Sequence, residues 1–193
     1  MQGKHNTMIK KHYYSWRHVE KMCIDISMQM QKDNWKPDYI VGITRGGNIP
    51  ASILSHMLGV RCEAVKISLR DDDSECESNT WMSSDAFGYV DEEDRGTYKS
   101  RWDIAKRKNI LVVDDINDSG NTLNWLQQDW MNSCLPDEAS WSTVWGRNVR
   151  FATLTENLAS TFHGVQYSAH EVNKAEDDVW LVYPWEIVGK YDA

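Results

Sequence analysis

The segment 111–122 contains the residue types that bind a phosphorylated sugar. An apolar stretch runs into two acids, and a turn of small polar residues then leads into the apolar periodicity of a helix. Backbone amides at a helix N-terminus bind anions, a glycine lets the backbone approach the ligand, and hydroxyls add donors. We therefore expect a phosphate to bind at the turn residues Ser119, Gly120, Asn121 and Thr122.

Two carboxylates lie before this turn. Asp114 and Asp115 follow an apolar run that predicts a buried strand, and open α/β sheets bind ligands at the carboxyl ends of their strands. There the two acids can accept hydrogen bonds from ribose hydroxyls or hold a hydrated Mg²⁺. The alternative is a strand end with solvated acids, which does not require residues 118–122 to follow at these offsets.

The order of these residues resembles the binding motif for phosphoribosyl pyrophosphate (PRPP) in purine phosphoribosyltransferases of the type I fold. That motif is an apolar run, two acids, two variable residues and then Asp-Thr/Ser-Gly-x-Thr, and Ser119 stands where Thr is commoner. The resemblance implies that residues 118–122 bind the ribose 5-phosphate and that Asp118 accepts the proton near N7 of the incoming base. The alternative role for Asp118 is a helix N-cap.

A second motif, Thr44-Arg45-Gly46-Gly47, follows another predicted buried strand. It resembles the family's pyrophosphate loop. The resemblance implies that Arg45 and the amides of Gly46 and Gly47 contact the pyrophosphate, that Mg²⁺ assists them, and that the loop contains a non-proline cis peptide. By itself, an Arg-Gly-Gly sequence is equally typical of an ordinary turn.

The C-terminal stretch 178–186 resembles the ending of microbial xanthine/guanine phosphoribosyltransferases. That resemblance implies that Trp180 stacks on the purine, that the Leu181 carbonyl contacts the base, and that Glu186 helps to hold a second Mg²⁺. Packing and helix capping are the alternative roles for Glu186 and for Pro184 and Trp185 before it.

One departure from the family concerns the base. The 6-oxopurine enzymes have a lysine after the strand predicted at 149–154, where it donates to the purine O6, whereas this sequence has Thr155, Glu156 and Asn157. Glu156 is the candidate base-binding residue at this place, but a carboxylate cannot donate to a carbonyl. Either Asn157 or Lys174 supplies the donor, or the base carries an exocyclic amine there.

Alternating strands and helices must position these motifs. Strands are predicted at 39–43, 60–69, 110–113, 149–154, 165–169 and 179–182. One helix begins near Ser15, a second spans about 50–58 and ends at Gly59, and a third follows the phosphate-binding turn. The apolar face of the first helix carries Trp16, Val19, Cys23, Ile26 and Met30, and that of the third carries Leu123, Leu126 and Trp130.

This alternation predicts an α/β protein with a central, mostly parallel sheet flanked by helices. The resemblance specifies the type I phosphoribosyltransferase fold with a small C-terminal hood. The length of 193 residues predicts one domain, 1–193, with an acidic insertion at about 70–108 that is either disordered or a lid over the site. The segment 136–146 has no assignment.

Composition excludes several function classes. A net charge of −8 opposes binding to nucleic acid, and no apolar run is long enough to cross a membrane. The four scattered cysteines indicate neither a zinc site nor a disulfide framework, so we expect a cytoplasmic protein. The family resemblance suggests a homodimer or homotetramer.

Together these features predict a Mg²⁺-dependent enzyme that transfers the phosphoribosyl group of PRPP to a purine, most simply a 6-oxopurine. Two alternatives remain. One is a regulatory protein that binds PRPP without transferring it, because a fold does not fix a function. The other is a transferase for another base, such as adenine or a pyrimidine.

Overall fold

The computed structural model describes residues 10–69, 75–76, 79–90, 102–136 and 139–186. Its main sheet has six strands in the spatial order β4-β3-β2-β5-β6-β7, and β4 is the one described strand that runs antiparallel to its neighbour. The strands are β2 (Tyr39–Thr44), β3 (Arg61–Ser68), β4 (Glu75–Cys76), β5 (Ile110–Asn117), β6 (Val149–Asn157) and β7 (Val165–Val172). The predicted mostly parallel α/β sheet is therefore confirmed.

A separate pair of parallel strands lies apart from this sheet. The strand β1 (Lys10–Tyr13) pairs with β8 (Val179–Val182), which joins the N-terminal part of the described chain to its C-terminal part. The strand β8 was predicted, whereas β1 was not, because its sequence is polar and all four of its residues are exposed.

Helices cover both faces of the main sheet. They are α1 (Trp16–Lys32), α2 (Asn48–Leu58), α3 (Thr80–Phe87) and α4 (Asn121–Ser133), with short 3₁₀ turns at Ile104–Lys106, Ala139–Thr143 and Pro184–Glu186. In β5, Leu111 packs on the α1 and α2 side while Val112 packs on the α4 side. Because both faces are covered, the central strands are apolar throughout rather than alternating.

The first helix forms as its sequence predicts, with one exception. Ser15 is the N-cap and accepts a hydrogen bond from the backbone N–H of His18, and Val19, Cys23, Ile26 and Met30 are buried. Trp16 was expected on the same face but is 55% exposed. It lies in the first turn, beyond the edge of the core, and its ring contacts that of Trp185.

The described part of the predicted acidic insertion is a core element. Helix α3 buries Met82, Ala86 and Phe87 against the face that carries α4, so this helix is part of the core. The ring of Phe87 contacts that of Trp141, which lies in the segment 136–146 that had no assignment. The indole N–H of Trp141 donates to the carbonyls of Cys134 and Leu135. The acidic residues at 71–73 and 91–94 lie outside the described residues.

Two strands run further than their apolar runs indicated. Strand β5 continues through Asn117 and β6 through Asn157, because Ile116 and Asn117 pair with Thr155 and Glu156. This extension carries polar side chains up to the edge of the sheet where the predicted motifs lie. No helix among the described residues is long and apolar enough to cross a membrane.

Candidate active site at the carboxyl ends of the strands

A cavity of about 920 Å³ lies at the carboxyl ends of β2, β3 and β5. It brings together every predicted PRPP-binding residue except Gly47, and it also includes the predicted metal ligand Glu186. The polar lining residues are Thr44, Arg45, Gly46, Lys66, Ser68, Asp114, Asp115, Asn117, Asp118, Ser119, Gly120, Asn121, Thr122 and Glu186. Two motifs some 70 positions apart in the sequence thus meet at one site.

The loop after β2 packs tightly against β5. A Cβ atom on Gly46 would lie 2.0 Å from Oδ2 of Asp115, and one on Gly47 would lie 2.4 Å from the carbonyl oxygen of Val113. Only glycine fits at these positions, which explains the Gly-Gly pair in steric terms. The peptide bond between Thr44 and Arg45 is cis, as the resemblance implied.

The turn between β5 and α4 has the geometry of an anion-binding turn. Gly120 has φ +90° and is the N-cap of α4, and of the first amides of the helix that of Asn121 donates to the Ser119 hydroxyl at 3.4 Å. A Cβ atom on Gly120 would lie 2.5 Å from the backbone nitrogen of Phe162, so glycine is required both by its φ and by the contact. The N-terminal amides of α4 therefore point toward the cavity end that Ser119 and Thr122 line.

Hydrogen bonds from the connection between β6 and β7 hold this turn. The side chain of Asn117 is buried and donates to the Phe162 carbonyl at 2.8 Å, while its oxygen accepts from the Ser160 hydroxyl at 2.8 Å. The hydroxyl of Thr161 donates to the Ser119 carbonyl at 2.7 Å. The sequence analysis missed these supporting residues because no local pattern links the two connections.

Asp118 is held by two side chains from outside its own turn. The ammonium of Lys174 lies 3.0 Å from each carboxylate oxygen, and the amide of Asn157 donates to the backbone carbonyl of Asp118 at 3.0 Å and to Oδ1 at 3.3 Å. The N-cap of α4 is Gly120. Helix capping, the alternative role for Asp118, is therefore wrong.

The cavity is rich in carboxylates. Among the described residues that line it, Arg45 and Lys66 are cationic, and Asp114, Asp115, Asp118 and Glu186 are acids. Lys66 was not predicted as a site residue. It pairs with Thr44 where β2 and β3 end, at the edge of the sheet where the cavity lies. The described part of the lining therefore carries more acidic than basic side chains.

Asp114 and Asp115 fit a Mg²⁺ site that a substrate completes. No group of three or more metal-ligating side chains occurs among the residues that the structure describes. Mg²⁺ is commonly held by one or two carboxylates together with substrate oxygens and water, and two adjacent aspartates at the cavity meet that requirement. The Glu186 carboxylate also accepts from the backbone N–H of Tyr183 at 2.9 Å, so it caps the terminal turn while lining the cavity.

Among the residues that the structure describes, Trp185 lines the cavity and Trp180 does not. Trp180 is 54% exposed, opposite Lys11 in the two-stranded sheet, and Leu181 is buried in the core behind it. Neither is among the cavity-lining residues, whereas Trp185 is. Because β8 pairs with β1, its alternating side chains point away from the cavity or into the core, and the following turn presents Trp185.

Glu156, the predicted base-binding residue of β6, also lies outside the described cavity lining. It lies opposite Asn117 in the β5–β6 ladder, accepts from the Asn117 amide at 2.9 Å, and is not among the cavity-lining residues. Burial raises the pKa of Glu156 above its ordinary value. Through this hydrogen bond, Glu156 links the end of β6 to the residue before the phosphate turn.

A cluster of hydroxyls lies behind Asp115. Thr155 is fully buried. The Tyr183 hydroxyl donates to the Asp115 carbonyl at 2.9 Å and lies 2.9 Å from the Thr155 hydroxyl, with which it shares a second hydrogen bond. Burial raises the pKa of Tyr183 well above its ordinary value, so this phenol stays protonated. The ring of Tyr183 stacks on those of Tyr14 and Trp185.

The chain is similar to curated enzymes over most of its length. It is 25% identical over 198 residues to the hypoxanthine-guanine phosphoribosyltransferase of Schizosaccharomyces pombe, covering 90% of this chain and 88% of that protein. It is also 25% identical over 203 residues to xanthine phosphoribosyltransferase 1 of Saccharomyces cerevisiae, with the same two coverages.

Solved structures share the fold. The xanthine-guanine-hypoxanthine phosphoribosyltransferase of Helicobacter pylori superposes with a TM-score of 0.60 at 19% identity, covering 93% of this chain and 96% of that one. A family model described as a phosphoribosyl transferase domain matches residues 5–180. This match covers most of the chain, and it includes both the loop 44–47 and the turn 118–122 that line the cavity. The chain therefore belongs to the phosphoribosyl transferase domain family.

Proposed function

We propose that the protein transfers the 5-phosphoribosyl group of PRPP to a 6-oxopurine and releases pyrophosphate. The observation that carries the proposal is the single cavity where the loop 44–47 and the turn 118–122 meet around Asp114 and Asp115. Relatives that span about nine tenths of the chain are named for hypoxanthine, guanine and xanthine, which supports the choice of base.

Each part of PRPP has a matching part of the cavity. The amides that open α4 and the hydroxyls of Ser119 and Thr122 bind the 5-phosphate. Asp114 and Asp115 accept hydrogen bonds from the ribose hydroxyls. Arg45 and Lys66, with the amides of the loop 44–47, bind the pyrophosphate.

Mg²⁺ is part of the proposed function because the described lining residues include more acids than bases. Asp114 and Asp115 would hold it, with Glu186 as a further acid in the cavity lining. When bound, Mg²⁺ supplies positive charge that stabilises the departing pyrophosphate. The chain's own contribution to the same task is the guanidinium of Arg45 and the ammonium of Lys66.

The transfer breaks the bond from the anomeric carbon to pyrophosphate and forms a bond from that carbon to N9 of the base. Positive charge grows on the ribose during this step, and the base must lose one proton. Asp118 lies at the phosphate turn and lines the cavity, where its carboxylate accepts that proton from N7. Trp185 offers an aromatic face for the base at the other side of the cavity.

The test is a panel of free bases incubated with PRPP and Mg²⁺ and scored for nucleotide and pyrophosphate. The proposal predicts nucleotide formation with guanine, hypoxanthine or xanthine. Turnover with adenine or a pyrimidine alone would contradict the choice of base. Measurable PRPP binding without turnover of any base would instead show a regulatory protein, the alternative that the fold also permits.

A further inference from the structure

The side chain of Tyr183 contacts two cavity residues, although Tyr183 is not itself among the described residues that line the cavity. Its hydroxyl donates to the backbone carbonyl of Asp115 at 2.9 Å. Its ring stacks on that of Trp185, with the ring centroids 4.8 Å apart and the ring planes 2° apart. Tyr183 is 2% exposed, so both contacts are protected from solvent. It therefore joins the acidic end of β5 to the C-terminal turn.

The partners of the Tyr183 hydroxyl fix the direction of its single proton. A carbonyl oxygen only accepts, so the proton points toward Asp115. The Thr155 hydroxyl lies 2.9 Å from the same phenol oxygen, and this second hydrogen bond therefore takes its proton from Thr155. Because Thr155 is fully buried within β6, it orients the phenol toward the carbonyl of Asp115.

The part of β5 that this hydroxyl contacts extends beyond the pairing of β5 with β2. Strand β2 pairs with β5 as far as Val113, whereas β6 pairs with it as far as Asn117. In the described part of the chain, the segment with Asp114 and Asp115 thus has a strand neighbour on the β6 side alone. A hydrogen bond to the Asp115 carbonyl limits the movement of this segment, and with it the position of both carboxylates.

Tyr183 also holds the turn that carries Trp185 and Glu186. The backbone N–H of Tyr183 donates to the Glu186 carboxylate at 2.9 Å, and the Glu186 N–H donates to the Tyr183 carbonyl at 3.0 Å. The Tyr183 ring stacks on the buried ring of Tyr14 as well, with the centroids 5.1 Å apart. A stacked partner that is itself held in the core restricts the orientation of the Trp185 ring.

We infer that Tyr183 is a positioning residue that sets the spacing between the ribose-binding acids and the aromatic face for the base. Its hydroxyl acts on Asp115 and its ring acts on Trp185. The inference rests on the proposed function, in which the anomeric carbon and N9 of the base must meet at bonding distance. Because the hydroxyl and the ring have different partners, single substitutions separate their effects.

Tyr183→Phe removes the hydroxyl and keeps the ring. The KM for PRPP should rise about fivefold, the size of a lost hydrogen bond to a carbonyl, while the KM for guanine should change less than about twofold. Tyr167→Phe is the matched control, since Tyr167 is also buried and its hydroxyl contacts Arg150 and Asp33, which do not line the cavity. It should lower the melting temperature at least as much as Tyr183→Phe does, and leave both KM values unchanged.

Tyr183→Leu removes the ring as well. The KM for guanine should then rise about fivefold too, because Trp185 loses its stacked partner. In a Trp185→Ala background, Tyr183→Leu should raise the KM for guanine no further, whereas Tyr183→Phe should still raise the KM for PRPP. If Tyr183→Leu does not fold, Tyr183→Met removes the ring with a smaller loss of volume, and the same comparisons apply to it.

Three results would overturn the inference. They are a Tyr183→Phe variant with a lower melting temperature and an unchanged KM for PRPP, equal rises of both KM values in that variant, and a full further rise for guanine from Tyr183→Leu in the Trp185→Ala background. Each of them presupposes an active wild-type protein. The proposed function fails differently, as a wild-type protein that forms no nucleotide from any base, and calorimetric titration with PRPP and Mg²⁺ would then still test the Tyr183 hydroxyl.

Discussion

Gly46 lies directly against the carboxylate of Asp115, although the two residues belong to loops that follow different strands. A Cβ atom at position 46 would lie 2.0 Å from Oδ2 and 2.5 Å from Cγ of Asp115. The spacing of the pyrophosphate loop and the ribose-binding acids is therefore set by a steric contact. A methyl group at this point must displace the Asp115 carboxylate or the loop that carries Gly46.

Gly46→Ala tests whether this contact matters for ligand binding. We expect PRPP affinity to fall at least about tenfold, because the added methyl displaces Asp115 or the loop by more than ordinary packing tolerates. Gly59→Ala is the control, since a Cβ there meets nothing within 4 Å and only the φ of +64° is strained. Calorimetric titration with PRPP and Mg²⁺ measures the PRPP affinity of both variants. Equal affinities would show that the contact between position 46 and Asp115 does not matter for PRPP binding.

Asp118→Asn tests the proton acceptor. The variant keeps the size of the side chain but cannot accept the N7 proton as a base, so kcat should fall by about 100-fold or more. PRPP affinity should remain within about tenfold, because the phosphate binds to amides and hydroxyls rather than to this carboxylate. Steady-state kinetics and PRPP titration together decide the matter, and equal losses in both would remove the proton-accepting role.

Trp185→Ala and Trp180→Ala form a matched pair. Trp185 lines the cavity and Trp180 is 54% exposed on the two-stranded sheet. Because stacking of a base on an aromatic ring is worth about 1–3 kcal/mol, the first variant should raise the KM for the base about tenfold and the second should leave it unchanged. The reverse pattern would favour the role that sequence resemblance implied for Trp180.

Glu156→Gln tests whether Glu156 supports the turn or contacts the base. Burial raises the pKa of Glu156, so the folded state binds its proton more tightly than the unfolded chain does. Its contribution to stability is therefore present below its ordinary pKa and lost as pH rises above it. Glutamine avoids this loss and can still accept from Asn117.

The melting temperature of Glu156→Gln should therefore exceed that of the wild type by about 2 °C at pH 7.5, with a smaller difference at pH 4. The KM for the base should not change. Thermal unfolding at the two pH values and steady-state kinetics measure these quantities. A lower melting temperature at pH 7.5, or an altered KM for the base, would contradict the structural role.

Short-range sequence patterns predicted the strand and the turn that form the candidate site. The apolar run before Asp114 predicted a buried strand, and the small residues at 119–122 predicted the phosphate turn, because strand burial and helix starts follow from short-range patterns. The resemblance also gave the cis peptide before Arg45, which the structure contains. The proposed roles of these residues in binding and catalysis remain predictions.

Pairings between distant segments were not predictable from the sequence. The polar strand β1 exists because β8 pairs with it, and that pairing turns Trp180 outward and brings Trp185 to the cavity. Lys174 reaches Asp118 from 56 positions away, across a contact that no local pattern encodes. A homodimer or homotetramer, one domain and a cytoplasmic location also remain predictions.

The most direct test of the account is a crystal structure of the protein with GMP, pyrophosphate and Mg²⁺. We expect the 5′-phosphate within hydrogen-bond distance of the amides and hydroxyls of Ser119 to Thr122, with the ribose beside Asp114 and Asp115 and N7 of the guanine at Asp118. A nucleotide phosphate bound elsewhere, with the turn at 119–122 making no contact to it, would contradict the proposed site.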